Sequence, residues 1–234
     1  MSHDALIAQM QSLIHKWEES ADQRSIFLRC YMMMTHNMRD AVHQDEFRDP
    51  GWVDHLVDHF AGYYFMALEE FEQNPAAAPP VWQLAHQAAL DPDMVALQKL
   101  LLGVNAHINY DLVLALVDLL KPEWGELTGA QQGDRYIDYC HVNEVIGSTI
   151  DAVQDQVLEP AMPVIDVIDK LFGPVDEKLI SSLLGHWREN VWHYAVQILG
   201  AMDVEDQSRL RIEMESEAIK MGRIIGFGDG TNDL

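Results

Sequence analysis

Basic residues are scarce in this chain. It carries 15 Lys and Arg against 38 Asp and Glu, a formal net charge of −23. A surface of that sign repels phosphate backbones and anionic bilayers, so neither nucleic acid nor membrane is expected as a partner. Cysteine is scarcer still. Cys30 and Cys140 lie far apart with no CxxC pattern, and in apolar helical contexts both are expected as free buried thiols. The opening MSHDALIAQMQSLIHKWEE has no basic segment followed by an apolar one, and it reads as an amphipathic helix rather than a secretion signal. Only 100–117 approaches the length of an apolar membrane span, and it is interrupted by His107 and Asp111, which argues against a span. The expectation is a soluble cytoplasmic protein.

Several chemistries are also missing. There is no glycine-rich phosphate loop, no Gly-x-Ser-x-Gly elbow and no Asp-rich prenyl-diphosphate motif. The paired Glu-x-x-His segments of a four-helix di-iron site do not occur. No strand or hairpin pattern stands out, and no repeat of fixed period is visible.

What the chain does have is helical periodicity almost throughout. Helices are expected over about 4–19, 21–47, 50–73 and 81–90, then a long one opening at Asp91-Pro92 and running to Leu120. Asp49-Pro50 and Asp91-Pro92 both read as an N-cap followed by proline at the first helical position. After the loop KPEWGELTGAQQGD come a helix from Asp134 to about Leu158, a short one bounded by Pro160, Pro163 and the FGP segment, one from Asp176 and a last one over about 204–225. The fold class is therefore all-α: a single domain over 1–225, seven or eight helices around a buried central helix at about 92–120, and a flexible tail at 226–234.

The central helix poses the main question. Four polar side chains, Asn105, His107, Asn109 and Asp111, sit within seven positions of its most apolar stretch, LLGVNAHINYDLVLALVDLL. On a wheel of about 100° per residue, Leu101, Val104, Ile108, Leu112, Ala115 and Leu119 form one stripe. The asparagines flank it on one side, and His107, Asp111 and Asp118 on the other. A helix apolar nearly all round is buried, and buried polar groups must find partners. His107 and Asp111 are either a structural pair or a site, as two metal ligands or as a base and its orienting carboxylate.

Other clusters are weaker. In HLVDH, His55 and Asp58 fall on the solvated side of their helix, and His59 lies at its edge beside Tyr63. Asp138 and Asn143 border the apolar face of the helix from Asp134, with Gln154 near Asn143. His186, Glu189, Asn190 and His193 share one side of a later helix and read as a surface group. YMMMTHNM reads as adaptable core packing.

The stretch around Asn105 also resembles a bacterial family known only as domain of unknown function 5995. The shared pattern is met by Gly103, Asn105, Ala106, His107, Ile108, Asn109, Asp111 and Leu112. Looser echoes are His59, Phe60, Ala61 and Tyr64, and then Asp138 and Asn143 with Gln154 following; together they cover roughly 25–200. The resemblance implies a helical fold and no established activity, and it favours His59 over His55.

These readings converge on a buried polar pocket around His107 and Asp111, the expected catalytic pair of a hydrolase-like enzyme. A divalent metal (zinc, manganese or iron) held by His59, His107, Asp111 and Asp138 would activate water. Asn105, Asn109, Asn143 and Tyr63 would orient ligand or substrate. The alternative is a non-catalytic helical protein that binds a small ligand or another protein, its polar cluster being a satisfied core network. A small molecule is the expected partner, and assembly into a homo-oligomer is left open.

Overall fold

The computed structural model describes residues 3–161 and 177–227, all in helices and their connections, with no strand among them. Counted as continuous rods, these residues form eight helices: α1 His3–Glu19, α2 Arg24–His43, α3 Pro50–Gln73, α4 Pro80–Leu90, α5 Ala96–Leu120, α6 over 129–161, α7 Glu177–Gly200 and α8 Val204–Phe227. The expected short helix between Pro163 and the FGP segment, the start at Asp176 and most of the tail lie outside the described residues.

Local signals explain most boundaries. Asp49 caps α3, its side chain accepting the Trp52 backbone N–H at 3.0 Å with Pro50 next in line. Two helices end in the same way. Ala21 and Asp45 both adopt positive φ, and the residue after each returns its N–H to a carbonyl five positions back: Asp22 to Trp17 and Glu46 to Ala41. This left-handed closure satisfies the last carbonyls of a helix, and it stops α2 at His43 rather than at Phe47. Asp91-Pro92, expected to open the central helix, does not. The Asp91 carboxylate instead accepts the Asp93 N–H at 2.9 Å in a local turn, and α5 begins at Ala96. Further on, α6 starts at Gly129, ahead of Asp134. Thr128 and Gln131 form a reciprocal cap there, the Gln131 side chain accepting the Thr128 N–H at 2.9 Å.

α5 runs through the middle of the molecule. Its length and composition would suit a membrane span, yet most of its apolar window is buried inside the protein. Its first half, with Leu97, Leu100, Leu102 and Ala106, packs into a core shared with α1, α2, α4 and the Ala218 region of α8. Its second half, from Ile108 to Leu120, belongs to a second core with α3, α6 and α7. Where the two cores meet, the helix is not α-helical. Residues His107–Asp111 form a π turn. One extra residue in a turn rotates everything downstream relative to an ideal wheel, and such insertions recur at functional sites. A second π turn, Gln154–Leu158, lies near the end of α6.

Candidate functional site

The π turn presents His107 and Asp111 to each other. His107 Nδ1 lies 2.9 Å from Asp111 Oδ2, and both side chains are buried. On the far side, the Trp82 indole N–H of α4 donates to both carboxyl oxygens of Asp111 at 3.0 Å. The imidazole itself is enclosed by rings. It stacks on Phe60 of α3 with centroids 3.6 Å apart and planes 7° apart, and meets Tyr31 of α2 edge-on at 4.3 Å. Phe27, Tyr64 and Trp82 complete the cage at about 6 Å.

The electrostatics of this arrangement follow from burial. No charged partner reaches either group, so desolvation holds His107 well below the ordinary imidazole range and raises the Asp111 carboxyl well above the carboxylate range, opposed in part by the Trp82 hydrogen bond. Both shifts favour the neutral forms, and in that state Asp111 donates from Oδ2 to Nδ1 while the imidazole carries its own hydrogen on Nε2. That Nε2 atom is buried and has no hydrogen-bond partner among the described residues.

His107 sits on the wall of a cavity of about 250 Å³ bordered by α2, α3, α5, α6 and α7. The lining is mostly aliphatic, including Leu97, Val104, Ile146 and Leu184, with Tyr31 and Phe60 beside His107. Cys30 also faces it, its thiol pushed up to about 12 by burial. That is an inert thiol rather than a nucleophile. The polar exceptions on the wall include His107, Gln154 and Arg188.

The other expected site residues are elsewhere. Asn105 is buried, but its Nδ2 donates to the Ala218 carbonyl of α8 at 2.9 Å, and its Oδ1 accepts from Asn109. This pair ties the central helix to the C-terminal one. His59 is at the surface, where its Nε2 lies 3.4 Å from Asp118; Tyr63 donates to the same carboxylate at 2.5 Å, and burial followed by that carboxylate raises its phenol. Asp138 is buried and accepts the backbone N–H groups of Arg48 and Asp49 at 2.8 and 2.9 Å, holding the connection between α2 and α3. Asn143 accepts from Arg188 Nε at 2.6 Å.

The four-ligand metal set is thus not assembled. His59 and Asp138 are committed to other partners, and among the described residues no three His, Cys, Asp or Glu side chains are grouped to hold an ion. The reason is geometric: His59 lies on the outer edge of α3, one position from Phe60, the residue that does reach His107. Trp82, Tyr31 and Arg188 were given no site role in the sequence, and Phe60 entered only beside His59 in the looser family pattern. Arg188 left a legible trace, since it interrupts the apolar face of α7 between Leu184 and Val191.

A family model covers residues 3–226, and its description is a family of unknown function, DUF5995. The chain belongs to this family. No curated protein and no solved structure matches it. The match extends well beyond 25–200 and takes in α1 and α8 of the DUF5995 chain as well as the helices that form the site.

Proposed function

We propose that this member of DUF5995 binds a small, largely apolar organic molecule in the cavity beside the π turn, with a polar atom of that molecule accepting a hydrogen bond from His107 Nε2. One observation carries the reading: His107, whose buried Nε2 has no partner among the described residues, lies on the wall of a mostly apolar cavity. An unmade hydrogen bond of this kind costs about 1–3 kcal/mol, and a ligand oxygen would recover it. The cavity exceeds the roughly 150 Å³ that suffices for benzene, and an apolar wall with few convergent polar groups is the usual form of a ligand site. Asp111 and Trp82 fix the imidazole from behind. A hydrolytic role through a metal has no support in the donor geometry. A second reading, acid–base catalysis on the bound molecule, is favoured by the carboxyl at Nδ1, the arrangement that lets an imidazole exchange a proton at Nε2.

The test is to fill the cavity. Ile146→Phe adds volume to the wall without touching the His107–Asp111 pair. Binding of the neutral dye Nile red should fall at least tenfold, while the circular dichroism spectrum stays helical. Unchanged binding by a folded Ile146→Phe protein would remove the cavity from the reading.

A further inference from the structure

Two arginines in this protein are almost equally buried, and they are treated differently. Arg39, 3% exposed, is paired with the carboxylates of Asp54 and Asp58. Arg188, 4% exposed, has no carboxylate partner among the described residues. Its Nε donates to the Asn143 amide oxygen at 2.6 Å and its Nη2 to the Tyr139 carbonyl at 2.7 Å, and its guanidinium lies 4.2 Å from the Tyr139 ring centroid. These neutral partners orient the fork and use two of its three nitrogens. They do not neutralise the charge. A guanidinium cannot escape burial by losing its proton, and a buried charge without a counter-ion is expensive.

Arg188 also lines the cavity, and among the lining residues described there is no Asp or Glu and no second Arg or Lys. In a chain of net charge −23, the cavity beside His107 carries, among the described residues, a single pre-oriented cation. We infer that the ligand is a largely apolar monocarboxylic acid whose carboxylate is the missing counter-ion of Arg188, whose hydrocarbon part fills the cavity, and whose polar atom at the far end meets His107. The inference rests on the ligand-binding reading above and adds the chemical class. A planar guanidinium held by its Nε and one Nη can offer its remaining hydrogens to a carboxylate, and the aliphatic wall selects against short polar acids.

The experiment uses the intact protein and pairs of probes that differ only at the head group. Straight-chain alkanoates of six to ten carbons and the primary alcohols of equal length are titrated calorimetrically at pH 7 in about 0.15 M salt, where long-range repulsion between an acidic protein and an anion is largely screened. Each acid should bind at least tenfold more tightly than its alcohol, as expected for a charge-assisted hydrogen bond. Each added methylene should tighten both series about fourfold until the cavity is full. Arg188→Met should abolish the preference for acids and leave alcohol binding in place. If that variant fails to fold, because α6 and α7 lose their tie, the acid-to-alcohol ratio of the unaltered protein still decides. Equal binding of acids and alcohols, or preference for alcohols, overturns the role of Arg188 and leaves the ligand site standing. Binding of neither series overturns both.

Discussion

The chemistry of Asp111 comes down to a proton. If the carboxyl is neutral, it donates to His107 Nδ1 and accepts from Trp82, and an asparagine can do both, with Nδ2 donating and Oδ1 accepting. Asp111→Asn should then cost less than about 1 kcal/mol near pH 4 and be at least as stable as wild type at pH 7. Asp111→Ala leaves two buried groups without partners and should cost about 2–5 kcal/mol. The pH dependence has a definite sign. A folded-state value raised above the unfolded one near 3.9 contributes stability that is fully present below the unfolded value and is lost as pH rises through the folded one. Asp111→Asn removes that loss, so its stability relative to wild type should improve from pH 5 to pH 9 in urea titrations. His107 works in the opposite sense: depressed by burial, it contributes stability above pH 6.5 that is lost on acidification. If Asp111→Asn is as damaging as Asp111→Ala, the buried carboxyl is ionised and Nε2 is the bare nitrogen.

Between elements, contact distance decides. α2 and α5 approach so closely that a Cβ at Gly103 would come within 2.6 Å of the Phe27 ring. Phe27 is part of the ring cage around His107, so the glycine helps set the site as well as the core. Gly103→Ala should force that ring aside and destabilise by about 1–3 kcal/mol, a fall of about 2–4 °C in melting temperature per kcal/mol for a chain of this size. A melting temperature equal to wild type would mean that the helices separate freely. This scale also marks where sequence reasoning succeeds and stops. The helical class, the cap at Asp49 and the burial of the central helix were legible, because periodicity and capping act through neighbours in the chain. The His107–Asp111 pair was legible because it is local, four residues apart. The π turn was not, since no residue in HINYD signals an extra residue in the turn, and an ideal wheel placed Asp118 beside Asp111 when it lies at the surface with His59 and Tyr63. Trp82, Phe60 and Arg188 reach the site from three other helices, and only tertiary packing brings them there.

For the molecule as a whole the dominant fact is its charge. A net −23 opposes compaction through self-repulsion, and the pairs that offset it lie mostly at the surface, among them Arg29 with Glu18 and Arg209 with Asp206. Each of those is worth roughly 0–1 kcal/mol and weakens with salt. Arg39 is itself buried, and its bridges to the partly exposed carboxylates of Asp54 and Asp58 are screened less. Salt therefore acts on two terms of opposite sign, and their sizes decide the outcome. Acids exceed bases by 23, so across the whole chain like-charge pairs outnumber opposite-charge ones. Raising sodium chloride from about 0.02 M to about 0.5 M shortens the screening length from roughly 20 Å to roughly 4 Å and removes mainly the long-range repulsion. The melting temperature at pH 7 should rise by several degrees, most of it below about 0.2 M, and equal ionic strength supplied as potassium chloride should give the same curve. A melting temperature that falls with salt would mean that the surface pairs contribute more than the net charge costs.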